Sequence, residues 1–232
     1  MSDKIFLKAS RVKQRKKIMK IARLIALILA LLLLISYIVI RIIYGSGTFT
    51  IRLDRKLYYD RGLIIYDDPN YMVFRSELHA EPVDFLDNIS YKWLPTDLHE
   101  HEGGSHNGDN YIAYTFYLTN TGEYPVNYWS EITIDYVMKE VDEAVRVRVY
   151  KNGEYKTYAK IGKNGRPEPE TVPFVSDRII TTEFVERFQP EETNKYTIVI
   201  WLEGTDPECT DNILGGEIKL SMSFNAEILD EN

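Results

Sequence analysis

An uncharged apolar run from Leu24 to Ile40, LIALILALLLLISYIVI, constrains this chain more than any other part of its sequence. Past Arg41, which can extend its charged head to the interface, the segment Ile42–Tyr44 continues the run. A helix of about 20 residues crosses the ~30 Å hydrocarbon layer of a bilayer. Because a helix that is apolar on every side is unusual in a soluble core, residues 24–44 are predicted to span a membrane.

The charges on the two sides of this run differ in sign. Residues 1–23 hold nine Lys or Arg and one Asp, a net charge of +8, so residues 24–232 must carry −15 to give the chain's total of −7. Basic residues stay on the cytoplasmic side of a membrane, which predicts a cytoplasmic N-terminus and an extracellular C-terminal domain. The basic tail is expected to bind anionic lipid headgroups. Nucleic-acid binding is not expected, because the basic run adjoins the membrane segment and later basic residues alternate with acids.

The apolar run predicts an uncleaved signal anchor. It is longer than the roughly 7–15 apolar residues usual in a signal peptide, and no A-x-A cleavage motif follows it. Gly45 and Gly47 could precede a cut, but Arg41 disfavours cleavage there. The predicted organisation is therefore a basic cytoplasmic tail at 1–23, a transmembrane signal anchor at 24–44 and an extracytoplasmic domain at 45–232.

The outer part of the sequence has the two-residue periodicity of β-strands. In Thr48–Asp54, for example, Phe49, Ile51 and Leu53 fall on one face. Eight or nine such segments occur without a long amphipathic helix, which predicts a mainly β fold, an antiparallel β-sandwich or jelly roll. Residues 67–109 are expected to form long loops. The predicted strands are 48–54, 62–66, 111–118, 126–134, 144–150, 155–160, 178–188, 195–203 and 217–225.

The clearest hairpin lies at 144–160. Its alternation predicts that Val145, Val147 and Val149 face the core, whereas Arg146 and Arg148 face water. The Asn152-Gly153 dipeptide predicts a type I′ turn, which needs two residues with positive φ.

Three of the four histidines lie in HEHEGGSHNGD, residues 99–109, which makes this segment a candidate metal site. The H-E-x-x-H protease motif is absent, because the position four residues after His99 is Gly103. In an extended segment His99 and His101 would share a face, and His106 or Asp109 could complete a zinc site. Its glycines instead favour a flexible solvated loop. A specific metal site, adventitious metal binding and a plain loop all remain open.

A second candidate is the acidic loop that follows the strand at 195–203. Glu203, Asp206, Glu208 and Asp211 offer oxygen ligands suited to calcium, although the EF-hand spacing is absent. An acidic turn begun at Asp206-Pro207 is the alternative. Cys209 is the only cysteine, so the chain forms no internal disulfide, and no base for a cysteine nucleophile is evident. We therefore predict no enzyme activity and assign no catalytic residue, cofactor or metal ligand.

Two segments resemble exported proteins of Gram-positive bacteria. AYTFYLTNTGE, residues 113–123, looks like the strand and N-x-G loop of exported β-sandwich proteins. Residues 195–224 resemble the terminal strand pair of a Firmicute family of membrane-anchored surface proteins with a WLEGxDPEC-type motif. That family is distantly similar to TasA and camelysin-like proteins, which implies a jelly-roll-type domain at the cell surface or in matrix fibres. The long basic tail and Arg41 depart from the export signals of that group and indicate retention.

The sequence as a whole predicts a single-pass cell-surface protein with a non-catalytic β-sandwich. This domain would act as a structural or interaction module, with a protein or a cell-wall polymer as its partner. One alternative is a metal-binding protein or metal-dependent enzyme that uses the loop from His99 to His106. Another is an accessory subunit of a membrane complex, contacted through the helix.

Overall fold

The computed structural model describes residues 2–45, 48–83 and 85–228, and its contacts divide the chain into two units, Met1–Gly45 and Ser46–Asn232. The first unit is a single helix, α1 (Ser2–Gly45). Within it, Lys16–Ile38 contains an 18-residue stretch with a mean hydropathy of 2.7 and is long and apolar enough to cross a membrane. Membrane anchors and signal sequences share this length and composition.

The second unit is mainly β, as predicted. Each predicted strand is present, and the three unpredicted strands are only two or three residues long. Single-turn 3-10 helices lie at Tyr91–Trp93, Leu98–Glu100, Val141–Glu143 and Asp211–Ile213. The other elements are β1 (Phe49–Arg52), α2 (Arg55–Arg61), β2 (Leu63–Tyr66), β3 (Glu77–His79), β4 (Gly104–Ser105), β5 (Tyr111–Asn120), β6 (Val126–Met138), β7 (Val145–Lys151), β8 (Glu154–Ala159), β9 (Val172–Pro173), β10 (Ile179–Phe188), β11 (Thr193–Leu202) and β12 (Glu217–Ile228).

The strands form two sheets that pack face to face. The five-stranded sheet has the order β10-β6-β12-β1-β3, and the seven-stranded sheet has the order β2-β5-β11-β7-β8-β9, with β4 beside β5. Strand neighbours are antiparallel except for β1 with β12 and β8 with β9, so both sheets are mixed. A parallel pair needs a long connection, and nearly the whole domain separates β1 from β12.

The main core lies between the two sheets. Phe49 and Ile51 are fully buried in it, as their alternation predicted. Phe224 of the five-stranded sheet contacts rings of the opposite sheet, with centroid distances of 6.1 Å to Phe116 and 5.9 Å to Tyr196. The rest of β12 alternates in the same way, which confirms that one face of this strand is apolar and buried.

The β7–β8 hairpin has the predicted turn, with φ of 52° at Asn152 and 92° at Gly153. The three valines of β7 face the core, as predicted. The prediction that Arg146 faces water is wrong, because its residue exposure is only 3%. The alternation argument assumed a solvated outer face, whereas this face of the sheet is partly covered.

A second apolar layer provides that cover. Ile89, Leu94 and Leu98 pack against the outward side chains of Val199 and Trp201. Part of the segment predicted as long loops therefore closes over the seven-stranded sheet. Strand β11 is buried on both faces, which explains why its sequence is apolar at consecutive rather than alternate positions.

The sequence did not predict the short helix α2. Asp54 caps its start, since the side chain accepts a hydrogen bond from Lys56 N at 2.9 Å. Gly62 ends it in the left-handed conformation, with φ of 71°. Both residue types are typical of these cap positions, so the signal for a one- or two-turn helix was present in the sequence.

A buried hydrogen-bonded group joins the two sheets inside the core. The hydroxyl of Tyr128 on β6 lies 2.7 Å from the hydroxyl of Tyr196 on β11. Asn194 Nδ2 donates to the Tyr128 hydroxyl at 2.7 Å. Burial raises the pKa of Tyr128 to about 12, which extends to higher pH the range in which the phenol keeps its proton.

Replacing Tyr128→Phe removes the hydroxyl shared by Tyr196 and Asn194 and leaves their polar atoms without this partner. We expect the free energy of unfolding to fall by about 1–3 kcal/mol, because buried polar groups are costly to leave unpaired. Urea denaturation of the chain in detergent micelles measures the change. Tyr59→Phe, at a position 77% exposed, is the matched control. Equal stability of the two variants would contradict the proposed role of the buried hydroxyl.

Candidate functional site

The structure does not bring the predicted histidine ligands into one site. His99 stacks on the ring of Tyr150, with centroids 5.2 Å apart, whereas His101 and His106 stack on each other at 4.1 Å. Within the described part of the chain, the one set of three acidic, His or Cys ligand atoms within 4.8 Å of one another contains no histidine. The sequence argument assumed an extended segment, but Leu98–Glu100 forms a 3-10 turn, so alternate side chains no longer share a face.

The glycines of this loop allow close packing. A Cβ on Gly103 would lie 1.8 Å from the carbonyl oxygen of Asp67, and one on Gly108 would lie 2.3 Å from the ring of Tyr111. His106 N also donates to a β5 carbonyl at 2.9 Å. The glycines favoured a flexible loop in the sequence, whereas in the structure this segment is closely packed and hydrogen-bonded to the sheet.

A hydrogen bond to the backbone fixes the orientation of the His106 imidazole. Its Nδ1 lies 3.1 Å from the Gly104 carbonyl oxygen, and its buried Nε2 has no hydrogen-bond partner among the described residues. Burial lowers the pKa of His106, and the charge of nearby His101 lowers it further, against the raising effect of the Gly104 hydrogen bond. Asp109, the fourth candidate ligand, is exposed.

The four carboxylates of the acidic loop also do not lie together in the structure. Glu203 is 4% exposed and accepts hydrogen bonds from Trp201 Nε1 at 3.0 Å, Tyr91 N at 2.9 Å and Thr205 Oγ1 at 2.6 Å. These bonds tie the second apolar layer to the end of β11. Asp211 is exposed at the start of a 3-10 turn, so the predicted set of four carboxylates does not form.

Asp206 and Glu208 instead meet Glu168, a residue that the sequence did not indicate. The three carboxylates have ligand atoms within 4.8 Å of one another, and Arg146 hydrogen-bonds Asp206 and lies 3.4 Å from Glu168. Three carboxylates and one guanidinium leave a formal charge of −2. Burial and the charge of Asp206 raise the pKa of Glu168, against the lowering effect of Arg146. Arg146 thus supplies a counter-charge where the calcium hypothesis would place an ion.

A cleft of about 430 Å³ opens beside this cluster, on the outer face of the seven-stranded sheet. Residues of β7, β8 and β11 line it, together with Tyr91 from the second apolar layer, residues 164 and 166–171 from the β8–β9 connection and residues 203, 205 and 207 from the loop after β11. This volume falls within the range of about 300–1,000 Å³ found for small-ligand sites. Its lining consists of three aromatic residues, three arginines, three glutamates, four uncharged polar residues and three prolines.

Arg148, which the sequence predicted to face water, lies half-buried in this cleft. Its Nε donates to Thr157 Oγ1 at 3.0 Å, and one terminal nitrogen donates to the Tyr150 hydroxyl at 3.4 Å. Its guanidinium carbon lies 4.5 Å from the ring centroid of Tyr155 and 5.3 Å from that of Trp201. Within 48–83 and 85–228, no carboxylate lies within 4.0 Å of this guanidinium.

The cleft carries the carboxylates of three glutamates and the hydroxyls of three threonines. Its lining, as the structure describes it, includes no His, Ser or Cys side chain. Cys209 lies near the acidic cluster, and burial together with the charge of Asp206 raises the pKa of its thiol. A thiol is a good nucleophile as the thiolate, so this environment disfavours catalysis by Cys209.

Removing Arg146 is expected to destabilise the fold strongly. In Arg146→Met, the buried carboxylates of Asp206 and Glu168 lose their shared cation, and we expect a loss of about 3–5 kcal/mol in the free energy of unfolding. Urea denaturation measures it. The control Arg52→Met breaks ion pairs of an arginine side chain that is 49% exposed, and its expected cost is at most about 1 kcal/mol. Similar losses in both variants would show that Arg146 has no special structural role.

His106 is expected to make stability depend on pH. Because the folded pKa is lowered, the unfolded chain binds more protons below the unfolded value of about 6.5, and stability falls as the pH falls through this window. We expect His106→Gln to show a smaller decrease in melting temperature than the unmodified chain between about pH 7.5 and about pH 5. His79→Gln, at a side chain 48% exposed, is the control. An unchanged pH dependence in His106→Gln would contradict this prediction.

No protein-family model matches this chain, and no curated protein sequence matches it either. The evidence for a site therefore comes from the geometry of the chain itself. That geometry favours the cleft around Arg148 over the histidine loop and over the acidic loop.

Proposed function

We propose that this protein is a membrane-anchored binding module. In this proposal α1 holds the chain in the membrane with its N-terminus in the cytoplasm, and the β domain binds a ligand or partner outside the cell. The observation that carries the binding function is the cleft, where a half-buried guanidinium, with no carboxylate within 4.0 Å among the described residues, faces a cavity of ligand size.

The distribution of charge supports the proposed orientation. The apolar helix segment Lys16–Ile38 lies between a basic N-terminal region and the acidic remainder of the chain. Basic flanks are retained in the cytoplasm, where they also attract anionic lipid headgroups. The orientation in turn puts the cleft within reach of extracellular proteins or cell-wall polymers.

The resemblance to Gram-positive surface proteins supports the same location. In the first of its two segments, Asn120 is a buried structural residue, whose Nδ2 donates to the carbonyl oxygens of Tyr124 and Phe188, each at 3.0 Å. In the second, Trp201 and Glu203 hold the second apolar layer in place. We propose that these segments preserve a surface-domain fold and that the cleft determines what an individual protein binds.

Cysteine labelling tests the orientation. In a Cys209→Ser background, Glu154→Cys places one thiol at the exposed start of β8, and Ser10→Cys places one in the basic tail. We expect a membrane-impermeant maleimide to label Glu154→Cys in intact cells and Ser10→Cys only after permeabilisation. The unmodified Cys209→Ser chain is the control for background labelling.

Two results would overturn this part of the proposal. Labelling of Ser10→Cys but not of Glu154→Cys in intact cells would place the β domain in the cytoplasm. A mature chain that begins near Thr48 would show that the apolar helix is removed and does not act as an anchor.

A further inference from the structure

We infer that the cleft binds an acidic sugar, whose carboxylate pairs with Arg148 and whose ring lies against the aromatic side chains of the cleft. This inference rests on the proposed binding function and names the class of ligand. The chemistry is that of a pyranose ring bearing a carboxylate, as in a uronic acid.

The lining of the cleft carries three arginines and three glutamates, and Arg148 is the side chain that we infer binds an anionic group. Arg146 is already neutralised by Asp206 and Glu168, and both oxygens of Glu203 accept hydrogen bonds. In the described part of the chain, no carboxylate lies within 4.0 Å of the Arg148 guanidinium. A guanidinium has five N–H donors, and Arg148 uses two of them in the bonds to Thr157 and Tyr150. The remaining donors suit a carboxylate, which accepts two parallel hydrogen bonds from a guanidinium fork.

The surroundings of Arg148 fix its position before a ligand arrives. Its guanidinium is held by two hydrogen bonds and lies against the rings of Tyr155 and Trp201. A side chain that is already ordered loses less entropy when it binds, so its interaction contributes more to affinity. It projects from β7, a central strand of the seven-stranded sheet, which keeps the donor group in a fixed place.

The remaining lining suits a sugar ring. Tyr155 is 57% exposed and Tyr91 is half-buried, so both offer ring surface to the C–H groups of a pyranose. Side chains of Thr157, Asn164 and Thr205 line the same space and can hydrogen-bond sugar hydroxyls. A simple inorganic anion would leave most of the 430 Å³ unfilled, and an alkyl carboxylate would not use the remaining hydrogen-bonding capacity of these side chains.

Isothermal titration of the full chain in detergent micelles tests the inference, with glucuronic acid as the probe. Three comparison ligands separate the parts of the argument: glucose lacks the carboxylate, glutarate lacks the ring, and a glucuronic acid-containing tetrasaccharide presents the sugar within a glycan. We expect glucuronic acid to bind and glucose and glutarate to bind at least tenfold more weakly. Tighter binding of the tetrasaccharide would identify a glycan chain as the source, and equal affinity would identify the free sugar acid.

Variants connect the binding to the cleft. We expect Arg148→Met to weaken glucuronic acid binding by roughly tenfold to a hundredfold, because it removes charged hydrogen bonds. Tyr155→Ala changes an exposed ring and is expected to weaken binding without unfolding the domain, which keeps the test valid if Arg148→Met is unstable. Arg52→Met, on the opposite sheet, is the control and should bind as the unmodified chain does.

Three results would overturn the inference: no binding of glucuronic acid, equal binding of glucose, or equal binding of glutarate. Full affinity in folded Arg148→Met or Tyr155→Ala would place the sugar elsewhere and overturn it as well. The outcome is separate from that of cysteine labelling. Correct labelling without sugar binding would leave the orientation intact and reject this ligand, whereas inverted labelling would reject the proposed location even if the sugar binds.

Discussion

The hydrogen bonds to the buried carboxylate of Glu203 hold the cover on the outer face of the seven-stranded sheet in place. Burying a charge is costly unless hydrogen bonds replace its water, and this carboxylate receives them from the ring of Trp201, the backbone of Tyr91 and the side chain of Thr205. The same bonds bring a distant stretch of chain onto the sheet. Without that stretch, β11 would face water on one side and the cleft would lose the wall that contains Tyr91.

The two arginines of β7 show how neighbouring positions acquire different roles. Arg146 lies against buried carboxylates and contributes to the interior, whereas Arg148 lies against aromatic rings and keeps donors available. Both side chains leave the strand on the same face, two residues apart. Their difference comes from the loops above them, because the β8–β9 connection supplies Glu168 and the loop after β11 supplies Asp206.

Local patterns predicted the strands and failed at the layer above the sheet. Alternation identified the buried faces of β1, β7 and β12, and Asn152-Gly153 identified the hairpin turn, because these depend on residues adjacent in sequence. The partners of Arg146 and the cover over β11 come from segments far away in the chain, so no local pattern could locate them. The consecutive apolar residues of β11 were a usable signal of burial on both faces. The histidine spacing was misleading because it required an extended segment, and the chain turns there.

The parallel pairing of β1 with β12 has a consequence for the order in which the domain can form. Phe49 pairs with Leu220, so the first strand can pair with β3 early but finds its parallel neighbour only when the last strand has been made. Bringing such distant segments together has a large loop-closure cost and slows folding. Until then, β1 and β6 each have an unpaired edge, which is a place where chains aggregate. A chain truncated before Glu217 would keep most of its strands but would lack β12, the strand that lies between β1 and β6 in the sheet.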